Sequence, residues 1–275
     1  MISVLQADAY CGFSAWISAH DEGHREGAQP VFVGRILWPG CDEAEDAVIK
    51  LYPTDSCGVA NEVVGFTANA IRGVPQPAKG AVILLPQAIL PAFEIDLSPY
   101  VDKGTGLAVC WVATLVQSAR PFRFLRRLAS FEQNQLAAFF KSKFAHMLAG
   151  VDHITGNSDR SDANFLYLDD MKYVAIDQGS VGGGPYWHSS WPDDRATNQL
   201  HLMAEREMTA SQLPAWYTSV LREGLATQEL WHSVSDELRQ NLVGLLDSDQ
   251  IETIVEYMSA RSSNGTLAQA CGRLL

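Results

Sequence analysis

The sequence predicts an α+β protein with a β-rich first part, residues 1–117, and a larger, mainly helical second part, residues 118–275. Two observations support this division. Short runs of β-branched and apolar residues, typical of strands, dominate the first part. From Pro121 onward, apolar residues recur at intervals of three and four, as they do in helices. At 275 residues, the chain is long enough for one large domain or two smaller lobes.

The first part contains two strand patterns that are separated by a polar turn. These strands cover residues 31–38 and 47–52. Alternation along the second strand places Val48 and Lys50 on one face and Ile49 on the other. A lysine between apolar residues usually extends its amine to water, which is the simplest interpretation of Lys50.

A helix follows these strands. It begins at Asn61 and Glu62, because apolar residues recur after them at helical spacing. Gly73 ends the helix, and Pro75 prevents its continuation. Glu62 is expected in the first turn, where a carboxylate complements the helix dipole.

Residues 106–116 lie just before the second part and are the most apolar stretch of the chain. This composition predicts a buried strand. Helical patterns then alternate with polar segments up to the end of the chain. Ser235 and Ser248 are predicted helix N-caps, because acidic residues occupy the turns that follow them.

A polar loop and two short apolar runs form the most informative segment. The loop, within residues 152–164, contains Asp159 and, five positions later, Asn164. The apolar runs are joined by a polar turn, and the second run, Tyr173 to Ile176, ends at Asp177. Because a turn between two strands reverses the chain, we expect the loop and the second strand end to meet.

These side chains are the ones that phosphoryl transfer from a nucleoside triphosphate requires. Asp159 is the candidate base that orients the hydroxyl nucleophile, and Asn164 and Asp177 are candidate ligands of Mg²⁺. Protein kinases have the same D-x-x-x-x-N spacing, with a further metal-binding Asp on the next strand. Asp and Asn are also common turn residues, so an ordinary polar loop is the alternative interpretation.

The same chemistry suggests a second interpretation of Lys50 and Glu62. In kinases, a helix carboxylate holds a strand lysine over the α- and β-phosphates of ATP. Lys50 and Glu62 precede the Asp159 loop in the order that this arrangement requires. The sequence therefore predicts a nucleotide-binding pair as well as a catalytic loop.

The only basic cluster precedes the loop and consists of four arginines. A solvated helix face is the simpler interpretation of this cluster, and a phosphate or substrate patch is the alternative. Its members are Arg120, Arg123, Arg126 and Arg127.

Composition excludes several classes of protein. A net charge of −12 argues against a broad electrostatic hold on nucleic acid, so no direct nucleic-acid binding is expected. The five cysteines form no C-x-x-C pair, which indicates neither a disulfide framework nor a zinc knuckle. There is no basic leader and no uncharged apolar run approaching about 20 residues. We therefore expect a cytoplasmic protein without a membrane partner.

Four motifs give the chain a resemblance to a known family. The series AVIKLYP, NEVVGFTANAIRGVPQP, GNSDRSDANFLYL and VAIDQG resembles the HipA-like kinases, distant relatives of phosphoinositide kinases. These kinases share D-R-x-x-x-N and I-D-x-G elements. The resemblance spans residues 31–179, and it departs from many relatives at Ser161, where they have His.

The resemblance implies a bilobed, protein-kinase-like fold, ATP and Mg²⁺ as cofactors, and Ser/Thr protein phosphorylation as the activity. HipA-like toxins work with an antitoxin, so it also implies a protein substrate or an antitoxin-like partner. Residue by residue, the resemblance assigns ATP binding to Lys50 and Glu62, catalysis to Asp159 with Arg160 fixing the loop, and Mg²⁺ binding to Asn164 and Asp177.

Two other functions remain open at this point. Small-molecule phosphotransferases of the aminoglycoside or choline type use a similar D-x-x-x-x-N and Asp set, and the acidic surface would suit a cationic substrate. A catalytically silent pseudokinase, acting as an interaction module, is the third possibility. Retention of Asp159, Asn164 and Asp177 argues against the pseudokinase, because a silent protein has no chemical need for the base.

Overall fold

The computed structural model describes residues 2–17, 29–127, 133–169, 172–185, 192 and 196–272. The chain divides into two compact units. We call Ile2–Val59 with Pro77–Gln117 the sheet unit, and Ala60–Gln76 with Ser118–Leu275 the helical unit. The predicted division instead placed residues 60–76 in the first part. The predicted α+β class is confirmed, because a mixed six-stranded sheet and a set of helices are both present.

The sheet unit is built on one mixed sheet. Its strand order is β1-β5-β6-β4-β3-β2, and β1 pairs with β5 in parallel whereas the other neighbours are antiparallel. Short 3₁₀ turns connect several of the strands. The strands are β1 (Ser3–Leu5), β2 (Tyr10–Trp16), β3 (Val31–Ile36), β4 (Glu45–Leu51), β5 (Gly80–Pro86) and β6 (Leu107–Thr114).

Strand β4 has the predicted alternation of faces. Ile49 and Leu51 are fully buried in the core of the sheet unit, whereas Lys50 is half-buried on the opposite face. Lys50 lies opposite Val31 on β3 and Trp111 on β6. The strand is therefore central in the sheet, and its period of two decides which side chains enter the core.

The helical unit contains most of the helices and one small sheet. In that sheet, β8 pairs with both β7 and β9. Among the described residues, no helix is long and apolar enough to cross a membrane. The strands are β7 (Arg120–Pro121), β8 (Phe165–Leu168) and β9 (Lys172–Ala175). The helices are α1 (Gly58–Arg72, of which residue 60 onward belongs to this unit), α2 (Phe122–Arg126), α3 (Gln133–Lys141), α4 (Lys143–Thr155), α5 (Gln199–Glu207), α6 (Leu213–Leu242), α7 (Ser248–Arg261) and α8 (Asn264–Ala270).

Aromatic packing fixes the small sheet against the helices. Phe139 of α3 stacks on Phe165 of β8 with ring centroids 4.6 Å apart. Tyr173 of β9 packs against Phe139 at 5.2 Å and against Phe144 of α4 at 5.5 Å. Such ring pairs contribute stability beyond the burial of their apolar area, so they hold the β8–β9 hairpin against α3 and α4.

Two helix boundaries differ from the sequence prediction. Helix α1 begins at Gly58, so Glu62 lies beyond the first turn and its predicted role at the helix dipole is wrong. Ser235 is inside the continuous helix α6, so it is not an N-cap. The N-cap of α7 is Asp247 rather than Ser248, and it forms a capping box with Gln250.

Candidate active site

The polar loop that carries Asp159 begins where α4 ends. Gly156 follows α4 and has a left-handed backbone, with a φ of 63°. A side chain at this position would also collide with the hydroxyl of Tyr257. Glycine satisfies both the backbone angle and the limited space, and it turns the chain into the loop.

Inside the loop, Ser161 fixes the side chain of Asn164. The amide oxygen Oδ1 of Asn164 accepts hydrogen bonds from the backbone N–H of Ser161, at 3.2 Å, and from the Ser161 hydroxyl. The N–H of Asn164 donates to the Ser161 carbonyl at 3.0 Å. Because the Ser161 N–H can only donate, it selects the amide oxygen of Asn164 and not the nitrogen.

Arg160 is fully buried, and each of its five N–H groups has an acceptor. Nε and Nη2 donate to the two carboxylate oxygens of Asp152 at 2.9 and 3.0 Å. Nη2 also donates to Oε1 of Gln178 at 2.6 Å. Nη1 donates to the carbonyls of Asn164 and Ile176 at 3.0 and 2.7 Å. One side chain therefore joins α4, the loop and the segment after β9, so Arg160 holds the loop in position.

The β8–β9 hairpin returns the chain to the loop. Its strands pair antiparallel, with Phe165 opposite Ala175. Beyond β9, the N–H of Ile176 donates to the Asn164 carbonyl at 3.0 Å, so the strand end and the loop are in direct contact. Asp177 is the next residue, and the hairpin therefore brings it to the loop that carries Asn164.

Asp177 has an uncommon backbone conformation, with a φ of 61°. The carbonyl before it, on Ile176, accepts from Arg160 at 2.7 Å. The N–H after it, on Gln178, donates to the Glu62 carboxylate at 2.9 Å. An unfavourable conformation persists only where its surroundings hold it, and such positions concentrate at functional sites.

The carboxylate of Asp159 lies at the protein surface, in the electrostatic field of Asp177. Neighbouring protein atoms exclude part of the water around Asp159 and raise its pKa, and the negative charge of Asp177 raises that pKa further. The guanidinium groups of Arg160 and Arg123 oppose this rise. Two carboxylates that disfavour each other's charge form an arrangement that a divalent cation neutralises.

Helix α1 contacts the segment that follows β9. The buried carboxylate of Glu62 accepts the N–H of Gln178, as described above. Asn61 directly precedes Glu62 and is also buried. Its Nδ2 donates to the carbonyls of Gly179 and Gly184, each at 2.9 Å. Glu62 therefore has a structural task in the helical unit that sequence reasoning did not anticipate.

Lys50, the other residue predicted to bind nucleotide, belongs to the sheet unit. Its position on a central strand, on the face opposite the core, agrees with the predicted strand register. The pairing of Lys50 with Glu62 stays a prediction. The remaining predicted site residues, Asp159, Arg160, Asn164 and Asp177, all belong to the helical unit.

Two arginines of the basic cluster anchor α2 to the loop. Arg126 donates to the carboxylates of Asp162 and Glu207 at 2.9 and 2.8 Å. The backbone N–H of Arg123 donates to the Asp162 carbonyl at 2.8 Å. Neither the solvated-face interpretation nor the phosphate-patch interpretation included these contacts, which tie α2 to the loop at Asp162.

The donors at the loop and the strand end fit Mg²⁺ chemically. Asn164 offers an amide oxygen and Asp177 a carboxylate, and Mg²⁺ prefers oxygen ligands and completes its shell with water and phosphate oxygens. Oδ1 of Asn164 already accepts two hydrogen bonds from Ser161, so a cation held by this oxygen would compete with them. Within the described ranges, no group of three or more His, Cys, Asp or Glu could hold a metal. A site shared with nucleotide phosphates needs only one or two carboxylates.

Sequence reasoning missed three residues that organise the loop. Asp152 is the bidentate partner of Arg160, and Gln178 is a further acceptor for the same guanidinium. Asn157 accepts the N–H of Asp159 at 3.2 Å through its side chain. An Asn two residues before a loop residue is a recognisable turn signal, whereas the pairing of Asp152 with Arg160 has no signature in a single sequence.

Comparisons with known proteins give no family assignment. No protein-family model matches the chain, and no curated protein matches it. The functional interpretation therefore depends on the geometry of the loop and on the motifs quoted above.

Proposed function

We propose that the chain is an ATP- and Mg²⁺-dependent phosphotransferase with a bilobed, protein-kinase-like fold. In this proposal it is a HipA-like protein Ser/Thr kinase and acts in the cytoplasm. The observation that carries this proposal is the buried Arg160, which binds the carbonyls of Asn164 and Ile176 at one point. Asp159, next to Arg160 in sequence, lies in the field of Asp177. An ordinary polar loop has no reason to gather these groups around a fully paired buried cation.

Each group has a task in this proposal. Asp159 accepts the proton of the attacking hydroxyl, and its raised pKa makes it a better proton acceptor than an ordinary aspartate. Asn164 and Asp177 hold Mg²⁺, which neutralises charge on the transferred phosphoryl group when it is bound. Arg160 keeps the loop and the strand end in register, and so acts through its neighbours.

The nucleotide and the acceptor complete the proposal. Lys50 holds the phosphates of ATP, and Glu62 orients Lys50. The acceptor is a Ser or Thr hydroxyl of a protein, and the chain acts as the toxin-like member of a pair with an antitoxin-like protein. The HipA-like motifs support this choice of acceptor over a small molecule.

Incubation with γ-labelled ATP and Mg²⁺, alone and with cell lysate, tests the proposal. We expect label on protein, and we expect it to disappear in the Asp159→Asn variant and after chelation of Mg²⁺. Label on small solutes alone would instead support a small-molecule kinase. A thermal shift with MgATP but no labelled product would support the pseudokinase, and neither binding nor product would overturn the proposed function.

A further inference from the structure

Gln178, which no motif of the sequence singles out, lies at the junction of the loop, the strand end and α1. We propose that Gln178 is a positioning residue that holds the backbone of Asp177 in the conformation that binds Mg²⁺, an inference that rests on the proposed function. Gln178 itself is almost completely buried and touches neither nucleotide nor metal in this assignment. It acts through contacts of its side chain and of its backbone.

The side chain of Gln178 completes the coordination of Arg160. The carboxylate of Asp152 and two backbone carbonyls take four of the five guanidinium N–H groups, and Oε1 of Gln178 takes the fifth at 2.6 Å. Because a guanidinium can only donate, the amide of Gln178 must face it with oxygen. A further donor, Nδ2 of Asn157, approaches the same oxygen at 3.4 Å. Removing this acceptor leaves a buried charged group with an unpaired N–H.

The backbone and the Cβ of Gln178 fix the same segment against α1. The N–H of Gln178 donates to the buried Glu62 carboxylate at 2.9 Å. Gly65, one helical turn after Glu62, lies so close to Gln178 that a Cβ at position 65 would collide with the Cβ and Cγ of Gln178. Helix α1 therefore holds this residue by a hydrogen bond and by close packing.

These contacts bear on Asp177 because they hold the peptide groups on both of its sides. Arg160 binds the carbonyl before Asp177, and Glu62 binds the N–H after it. Gln178 takes part in both, since its side chain orients Arg160 and its backbone reaches Glu62. Without the contacts of Gln178, Asp177 should therefore leave its left-handed backbone conformation, and its carboxylate should lose its fixed orientation.

The binding of Mn²⁺ together with a non-hydrolysable ATP analogue, measured by electron paramagnetic resonance, tests this inference without any turnover. Mn²⁺ is a spectroscopic stand-in for Mg²⁺ at oxygen ligands. We expect Gln178→Met to weaken Mn²⁺ binding by about 10- to 100-fold, as is typical when the supporting shell of a metal ligand is lost. Gln178→Glu keeps an acceptor for Arg160, so we expect it to stay within about threefold of the wild type.

Two further variants separate positioning from general loss of stability. Gly65→Ala keeps Gln178 but displaces it, and we expect the same weakening of Mn²⁺ binding. Asn241→Leu removes another buried hydrogen bond of the helical unit, from Asn241 to Thr67 at 3.2 Å, and should leave Mn²⁺ affinity unchanged. Thermal unfolding of each variant establishes that it is folded at the measuring temperature. If Gln178→Met does not fold, the comparison of Gly65→Ala with Asn241→Leu decides the inference.

The outcomes distinguish the inference from the proposed function. Wild-type protein that binds neither Mn²⁺ nor the ATP analogue overturns the proposed function and the inference with it. Wild-type binding that Gln178→Met and Gly65→Ala retain in full overturns the inference alone. Equal losses in these variants and in Asn241→Leu would also overturn it, because the effect would then follow stability and not position.

Discussion

Asp159 and Asp177 are both aspartates, but their surroundings differ. Asp159 is exposed on the loop, where an incoming hydroxyl has access to it. Asp177 is half-buried, and the hydrogen bonds to Arg160 and Glu62 on either side fix its backbone. A proton acceptor needs access, whereas a metal ligand needs a fixed direction, so the two environments match the proposed division of tasks.

Replacing the proposed base gives the first prediction. Asp159→Asn should lower the rate of ATP-dependent phosphorylation by about 10²- to 10⁴-fold, because it removes the proton acceptor. ATP affinity should stay within about twofold, since Asp159 is not assigned a contact with nucleotide. Initial rates and titration calorimetry measure the two quantities. Asp169→Asn, at an exposed position beyond β8, is a matched control that should retain full turnover. Wild-type turnover in Asp159→Asn would refute the assignment.

Replacing the proposed metal ligand should have a different signature. Asn tolerates a left-handed backbone about as well as Asp, so Asp177→Asn removes the charge and keeps the conformation. We expect MgATP binding to weaken by about tenfold or more, together with turnover. Calorimetric titrations with ATP in the presence and absence of Mg²⁺ measure this difference. Equal loss of binding under both conditions would contradict a metal-binding task for Asp177.

At the scale of elements, the contact of α4 with α6 depends on glycine. A Cβ on Gly150 of α4 would lie 3.0 Å from the Cα of Gly224 of α6, which is backbone and cannot rotate away. The loop with Asp159 begins directly after α4, so this close contact sets the position from which the loop starts. The absence of a side chain on Gly150 therefore allows α4 to approach the backbone of α6, whereas a Cβ on Gly224 would instead collide with Leu267 of α8.

The close approach of α4 and α6 gives a prediction on stability. Gly150→Ala should lower the free energy of unfolding by about 1–2 kcal/mol, because overpacking outweighs the gain in helix propensity. Gly265→Ala is the matched control, since nothing lies within 4 Å of the Cβ that it would add in α8. It should raise the free energy of unfolding by about 0.5–1 kcal/mol. Urea unfolding of both variants measures the difference, and a stabilised Gly150→Ala protein would contradict the packing argument.

Elements with a clear period could be predicted from the sequence, and contacts between distant segments could not. The alternation along β4, the β8–β9 hairpin and the helix that ends before Gly73 all follow from local patterns, although that helix begins at Gly58, three residues before its predicted start. The pairing of Asp152 with Arg160 and of Glu62 with Gln178 depends on the packing of segments far apart in sequence. Asp159, Asn164 and Asp177 could be named as candidates because kinase chemistry prescribes their spacing, whereas the supporting Gln178 has no prescribed spacing.

At the scale of the whole molecule, buried histidines make stability depend on pH. Burial, with the positive charge of Arg261, lowers the pKa of His153 to about 3, and burial lowers the pKa of His201 to about 4. The Nδ1 of His201 accepts the indole N–H of Trp216 at 3.1 Å, which requires an unprotonated nitrogen. Burial also lowers the pKa of His146. The folded protein therefore keeps these imidazoles neutral at pH values where the unfolded chain protonates them.

The sign of the pH effect follows from these shifts. The pKa values are lower in the folded state than the unfolded value of about 6.5, so stability is complete above about pH 6.5 and declines as the pH falls below it. For each pH unit below this value, a histidine that is protonated only in the unfolded chain lowers the free energy of unfolding by about 1.4 kcal/mol. His153 and His201 together lower it by about 2.7 kcal/mol per pH unit. Urea unfolding at pH values between about 6 and 5 measures this slope. In a His153→Asn variant, the slope should fall by about 1.4 kcal/mol per pH unit, the contribution of one histidine, and an unchanged slope would contradict the assignment.

The left-handed backbone at Asp177 also determines which mutations can separate geometry from charge at this position. Asparagine preserves the conformation without the negative charge, and glutamate preserves the charge in a residue that disfavours the conformation. Saturation mutagenesis of this codon should therefore separate amino acids that tolerate the left-handed backbone from those that supply the negative charge. Among survivors of a selection for folding, Asn and Gly should be enriched, whereas a selection for activity should retain aspartate alone.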